Sequence, residues 1–209
     1  MNLIIADDHE IVRKGIVQLL YMEDRLGIRN IDEASSGEEL LSKIRKNDYD
    51  IVVLDISMPG MGGLEALKEI VALYTAIPVL ILSTHSEEQY AIRVLKAGAK
   101  GYVRKSSGTE ELVKAIERIM AGRKYFSESV AEKLLDIGNK NMPHEILSDR
   151  EYQIMINIAM GKTQKQIADE LSLSIKTIST YRKRILDKMG LHDNNDIFKY
   201  ASNHGLIES

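Results

Sequence analysis

From Met1 to about residue 121 the chain repeats one pattern five times, and this limits its fold more than any other feature. A short run of strand character is followed by a segment of helical period. The runs lie at 3–6, 28–34, 51–56, 78–82 and 101–103. The helical faces between and after them are Ile11/Gly15/Gln18/Leu19, Leu40/Leu41/Ile44, Leu64/Leu67/Ile70/Val71, Ala91/Val94/Leu95 and Leu112/Ala115/Ile116/Ile119. Strands joined through helices pair in parallel, and a parallel sheet needs cover on both faces. The expectation is an α/β, doubly wound, five-stranded parallel sheet. IVVL at 51–54 and VLIL at 79–82 are apolar throughout, as strands buried on both faces must be.

The pattern stops after Ala121, where Gly122 reads as a helix terminator. A polar amphipathic piece follows, SESVAEKLLDIG, with Val130, Leu134 and Ile137 on one face. GNKNMPHE then concentrates Gly, Asn and Pro, and reads as a linker. From Leu147 strand signals vanish and helices are expected at 149–159, 163–171, 175–189 and 193–203. Ser148 followed by Glu151 fits a capping box. The division expected is 1–121, a linker with a helical segment at 122–145, and an all-α four-helix domain at 146–209. A chain of 209 residues is long enough for both cores.

The absence of cysteine removes disulfides, thiol catalysis and Cys-based zinc sites, and fits a reducing cytoplasm. No apolar run approaches the length of a membrane span, and MNLIIADDHE lacks the basic flank of a signal peptide. The net charge of −3 belongs to the first 143 residues, because the remainder carries nine basic and nine acidic side chains. Composition therefore does not announce nucleic-acid binding, which has to rest on local clustering.

Chemistry is concentrated at strand ends. The first strand ends in Asp7-Asp8, the third in Asp55, the fourth in Ser83-Thr84, and Lys105 follows the fifth. With strand order 2-1-3-4-5, the first and third strands are neighbours at the switch point where such sheets bind ligands. Three carboxylates gathered there repel unless a cation joins them, and an open set of oxygen ligands suits Mg²⁺. A carboxylate nucleophile, a hydroxyl and a lysine beside a metal describe a site for phosphoryl transfer onto aspartate. A lone Asp at a strand end is ordinarily a turn former, and Tyr102 alone would be simple packing. His9, with no second imidazole near it in sequence, reads as a polar helix-start residue.

The segments IIADDHEIVRKGI, LDISMPGMGGLEAL, LILST and AGAKGYVRK together resemble the receiver domain of two-component response regulators, over residues 1 to about 121. The resemblance implies a flavodoxin-like fold with Asp55 as phosphoacceptor. It also implies Mg²⁺ held by Asp7, Asp8, Asp55 and the backbone carbonyl of Ser57, with Ser83 as the switch hydroxyl, Tyr102 as the switch aromatic and Lys105 as the phosphate-binding lysine. Many relatives carry MPGMDG where this chain has MPGMGG; Gly62 takes the place of the acid, and altered loop flexibility is the expected result.

In TQKQIADELSLSIKTISTYRKRILDKMG a helix, a short turn and a second helix follow one another. Ser174 is placed to cap the second helix. At 100° per residue Ile175, Ile178, Ile185, Leu186 and Met189 share one side, with Lys176, Thr180, Lys183, Arg184 and Asp187 opposite. Such a face suits a recognition helix in a major groove, and equally a solvated amphipathic helix. LSDREYQIMINIAMGKTQKQIADELSLSIKTISTYRKRILDKMGL as a whole is similar to the LuxR-type helix-turn-helix of the NarL/FixJ family. That similarity implies base contacts from Ser179, Thr180 and Lys183, and phosphate contacts from Lys176, Thr177, Tyr181, Arg182 and Arg184. Arg182, near the apolar side, is expected to snorkel toward the backbone. The resemblance further implies that the last helix dimerises through Ile197, Tyr200 and Ala201.

The function implied is a DNA-binding transcription regulator, phosphorylated on Asp55 by a partner histidine kinase, dimerising and reading paired half-sites of double-stranded DNA. It is not a turnover enzyme apart from slow autodephosphorylation, and no membrane partner is implied. Phosphorylation is expected to draw Ser83 to the phosphate and turn Tyr102 inward. Two rivals remain: a phosphorylation-independent DNA-binding protein with a degenerate receiver, and an aspartyl-nucleophile phosphohydrolase. The second rival wants an acid two residues after the nucleophile, where this chain has Ser57.

Overall fold

The structure, a computed structural model, describes residues 1–127, 130 and 142–207. Leu134 and Ile137 of the amphipathic piece, and most of the expected linker, lie outside the described residues. The chain divides into two compact units, Met1–Ala131 and Glu132–Ser209.

The first unit alternates β1 (Asn2–Ala6), α1 (Glu10–Tyr21), β2 (Asn30–Ala34), α2 (Gly37–Ile44), β3 (Ile51–Leu54), α3 (Gly63–Leu73), β4 (Val79–Ser83), α4 (Glu87–Lys96), β5 (Gly101–Arg104) and α5 (Thr109–Met120). All strands are parallel, in the order β2-β1-β3-β4-β5. Register decides what the sheet presents at its carboxyl edge. Ala6 pairs with Leu54 and Ser83 with Arg104, so the residues just beyond emerge together. The Asp55 amide donates to the Ala6 carbonyl at 2.9 Å, extending this ladder one residue past β3. The apolar strands bury both faces as their composition requires, β3 and β4 completely.

Helix α1 differs from expectation. Its sheet-facing residues are Arg13, Ile16, Val17 and Leu20, whereas Ile11 and Met22 are 88% and 79% exposed and Leu19 is also outward. Arg13 is the cause. Its guanidinium donates to the Asp7 carbonyl at 2.6 Å and to Glu33 at 2.8 Å, and a buried charge so partnered sets the rotation of the helix.

The first unit also continues beyond residue 121. The Tyr102 amide donates to the Tyr125 carbonyl, and the Tyr125 amide to the Lys100 carbonyl, each at 2.9 Å. This extends the sheet past β5 for one bridge. Gly101 permits it, because a Cβ there would stand 2.9 Å from the Tyr125 carbonyl oxygen.

The second unit contains α6 (Asp149–Ala159), α7 (Gln164–Glu170), α8 (Ile175–Met189) and α9 (Asn194–Asn203), preceded by a 3-10 turn at Pro143–Ile146. Each helix starts on a side-chain cap. Ser148 with Glu151 and Thr163 with Gln166 form capping boxes, while Ser174 and Asp193 cap α8 and α9. Ile154, Ile167, Ile178, Ile185, Ile197 and Ala201 are all fully buried. Ser172 takes a left-handed φ of 52° in the turn between α7 and α8, and so sharpens the corner that separates the two helices.

Candidate functional site

At the carboxyl edge of the sheet, Lys105 Nζ lies 2.7 Å from both Asp7 Oδ2 and Asp55 Oδ2. Both carboxylates are 2% exposed. The second oxygen of each accepts a backbone N–H: Asp7 Oδ1 from His9 at 2.9 Å, Asp55 Oδ1 from Ser57 at 3.2 Å. Two buried acids and one lysine leave excess negative charge. Burial pushes the Asp55 carboxyl above its ordinary value and the Asp7 charge adds to this, while Lys105 opposes both. For Lys105 burial acts downward, yet the two carboxylates outweigh it and its ammonium is held above the usual lysine value.

Asp8 stands at the rim. His9, the residue capping α1, turns its ring so that Nδ1 is 3.0 Å from Asp8 Oδ1. One potential ligand atom from each of Asp7, Asp8, His9 and Asp55 lies within 4.8 Å of the others, the spacing a single cation requires. His9 is thus at the helix start, as its position implied, but its ring also joins the acidic group.

On the other side of Asp55, Ser83 is fully buried and its Oγ accepts the His85 amide at 3.2 Å. Ser57 Oγ and His85 Nε2 are 2.9 Å apart. Tyr102 is already turned inward, 3% exposed, with its hydroxyl donating to the His85 carbonyl at 2.9 Å. Burial raises its phenol well above the ordinary tyrosine value, so it remains a donor at any physiological pH. The inward turn expected to follow phosphorylation is therefore present without a phosphoryl group, because the His85 carbonyl supplies the partner.

Two glycines of the loop differ in what they allow. Gly62 precedes α3 with φ −68°, and an added Cβ would meet nothing nearer than the Ile56 carbonyl at 3.9 Å. Nothing steric excludes a side-chain Cβ at this position. At Gly63 a Cβ would stand 1.9 Å from the Asp55 carbonyl oxygen. That requirement was not visible in the sequence, where the two glycines look alike.

In the helical unit Lys176, Ser179, Thr180, Lys183 and Arg184 are exposed along α8, while Thr177 and Tyr181 are half-buried. Thr180 Oγ1 donates to the Lys176 carbonyl at 3.0 Å, and Arg184 lies over the Tyr181 ring at 5.9 Å. Arg182 is half-buried, near the apolar side as its phase implies, and its Nε donates to Asn194 Oδ1 at 2.6 Å, so it ties α8 to the start of α9. Ile175 departs from expectation, 51% exposed instead of sharing the core with Ile178 and Ile185. The expected dimer residues need correction. Ile197 and Ala201 are fully buried and cannot offer side chains to a second copy. Tyr200 is half-buried with its hydroxyl 2.8 Å from His144 Nδ1, and the outward apolar residue of α9 is Phe198, 50% exposed.

Comparison with known proteins agrees with this geometry. Residues 3–117 match the family described as response regulator receiver domain, and residues 145–201 match bacterial regulatory proteins, luxR family. The chain is 36% identical over 213 aligned residues to the response regulator UvrY of Escherichia coli (strain K12), covering 100% of this chain and 97% of that one. It is also 36% identical to the response regulator GacA of Pseudomonas syringae pv. syringae (strain B728a), covering 100% and 99%. Among solved structures, RcsB of Salmonella enterica serovar Typhimurium bound to promoter P1flhDC in the presence of phosphomimetic BeF3- superposes with a TM-score of 0.65 at 28% identity, covering 97% of this chain and 98% of that one. The two family matches fall on the two units and the relatives match along the whole chain, and the protein belongs to the two-component response regulators, as a transcription regulator with a receiver domain and a LuxR-type DNA-binding domain.

Proposed function

We propose that Asp55 accepts a phosphoryl group from the phosphohistidine of a partner kinase and that this modification governs DNA binding by α8. The observation that carries the reading is the Lys105 ammonium bridging Asp7 and Asp55 at 2.7 Å. In the transfer an Asp55 oxygen forms a bond to phosphorus as the bond from phosphorus to the kinase imidazole nitrogen breaks, the electron pair returning to that nitrogen. Lys105 offsets charge on the transferred group. Asp7, Asp8, Asp55 and the Ser57 carbonyl would hold Mg²⁺, which supplies further positive charge to the phosphoryl oxygens. The donor set fits that role: three carboxylates with atoms close enough for one ion, at an edge with excess negative charge.

Ser83 Oγ, which here accepts from the His85 amide, donates its hydroxyl proton to the phosphoryl group once that group is in place. Because Tyr102 already faces inward, phosphorylation shifts a population toward this arrangement instead of creating it. The receiver takes in residues 1–121 with the pairing at Tyr125, a linker follows, and residues 146–209 bind DNA in the cytoplasm. Lys176, Lys183 and Arg184 contact phosphates and bases beside Ser179, Thr180, Thr177 and Tyr181. Phosphorylated chains pair as homodimers through the outward face of α9 around Phe198, and read paired half-sites.

The test is treatment with an acyl phosphate and Mg²⁺, followed by a phosphate-affinity gel and a gel shift on genomic fragments. Wild type should gain one phosphoryl group and shift DNA at lower concentration, and Asp55→Asn should do neither. A variant that is still modified, or that still shows the change in DNA affinity, would refute the phospho-switch.

A further inference from the structure

Ile175 is the first residue of α8, and the structure leaves it half in solvent although its phase on the helix belongs with the core. Ile178, Ile185 and Leu186 complete the buried face without it. An apolar side chain at this point is not explained by packing. It stands at the head of the row Ile175, Ser179, Lys183, spaced by four along one edge of the helix, next to the basic outward face.

Its position is also well defined. The Ser174 hydroxyl caps the helix by accepting the Thr177 amide at 3.0 Å, and Ser174 Oγ and Thr177 Oγ1 lie 2.8 Å apart. The first turn of α8 is thereby fixed, and a β-branched side chain on it has few rotamers. In a helix-turn-helix the residues at the N-terminal end of the recognition helix are the ones that reach base edges. In the major groove the one apolar group a base pair displays is the thymine C5-methyl.

We propose that Ile175 is a specificity-determining residue that packs on a thymine methyl in each half-site, beside the polar contacts of Ser179 and Lys183. This rests on reading α8 as the groove-entering helix. It accounts for an exposed Ile at the tip of a helix whose remaining outward residues are polar or charged.

The test removes the methyl from the DNA and leaves the protein intact. The probe is a duplex selected from a random-sequence pool by the full-length chain, treated or untreated with acyl phosphate, whichever binds more tightly. Each thymine is replaced in turn by deoxyuridine, and binding is read by fluorescence anisotropy at one salt concentration. Wild type should bind about fourfold more weakly at one thymine per half-site, the effect of one lost buried methyl contact. Ile175→Ser should show the same affinity for the thymine and uracil duplexes at that position, and Ile175→Val should keep most of the discrimination.

Specific binding by wild type with no thymine sensitive to the replacement would overturn the proposal while leaving the DNA-binding reading intact. Unchanged sensitivity in Ile175→Ser would overturn it too, since another residue would then hold the methyl. Failure of the chain to select any duplex would remove the reading of α8 and the proposal with it.

Discussion

Gly62 and Gly63 are adjacent and chemically identical, yet the structure predicts opposite consequences for substituting them. A Cβ on Gly63 would stand 1.9 Å from the Asp55 carbonyl oxygen and 2.8 Å from both the Asp55 carbonyl carbon and Ile56 Cα. These are backbone atoms joined to the phosphoacceptor, and no flexible side chain stands there to move aside. Carbon rarely approaches such atoms closer than 3.0 Å, so Gly63→Ala forces a separation of about 1.1 Å. Overpacking of that kind costs about 3 kcal/mol, or about 10 °C in the melting temperature of a unit this size. Misplacing a reacting carboxylate by about 1 Å is worth roughly 100-fold in rate. At Gly62 the nearest atom to a Cβ is 3.9 Å away, so Gly62→Ala should leave the phosphorylation rate within about twofold. Gly62→Asp should add a cap to α3, which has none from a side chain, and stabilise the receiver by about 0.3–1 kcal/mol. The assay is the rate of Asp55 phosphorylation by an acyl phosphate, followed on phosphate-affinity gels, with urea unfolding beside it. A Gly63→Ala protein of wild-type stability and rate would refute the reasoning, as would a Gly62→Ala protein slowed to the same extent.

The helical unit has its own pH dependence. Burial alone would raise the Glu151 carboxyl, but Lys188 at 2.7 Å and the Ser148 amide hold it below the usual carboxylate range. A folded-state value below the unfolded one contributes stability above about pH 4.5 that is lost as pH falls. Urea midpoints of this unit should therefore drop on acidification, and Lys188→Met should flatten that drop while lowering stability at neutral pH by no more than about 1 kcal/mol. Lys176→Ala should reduce the log–log salt slope of DNA binding by about 0.9, measured by anisotropy between low and moderate salt; an unchanged slope would mean that Lys176 meets no phosphate. Phe198→Glu should turn phosphorylated dimers into folded monomers by sedimentation velocity. Ile197→Glu, which buries a charge in the core, should unfold the unit by losing about 3–5 kcal/mol.

The strand ends were legible because two simple rules converge there. Continuous apolar runs identify buried parallel strands, and parallel register brings their carboxyl ends to one edge, so Asp7, Asp55 and Lys105 meet as the run lengths require. What could not be read depends on partners distant in sequence. The rotation of α1 is set by Arg13 reaching the Asp7 carbonyl and Glu33, and helical phase alone assigned Ile11 and Leu19 to the core instead. The inward Tyr102 depends on the His85 carbonyl, and a residue type does not reveal its rotamer. Ile197 and Ala201 recur at helical spacing in the last helix, which looks the same whether the covered face meets its own unit or a second chain.

Periodicity thus counts every apolar residue of the right phase as core, and polar anchors decide which of them are. Ile11 and Ile175 illustrate the same principle at two helix starts. In α1 the buried Arg13 turns the apolar row away from the sheet. In α8 the Ser174 cap fixes the first turn where the core face has not yet begun, and Ile175 projects beyond it. With α8 read as the groove-entering helix, Ile175 is held ready for something outside its own unit. For Ile175 the surrounding lysines and hydroxyls give that something its chemistry: an anionic surface that also displays methyl groups, which is the major groove of thymine-containing DNA.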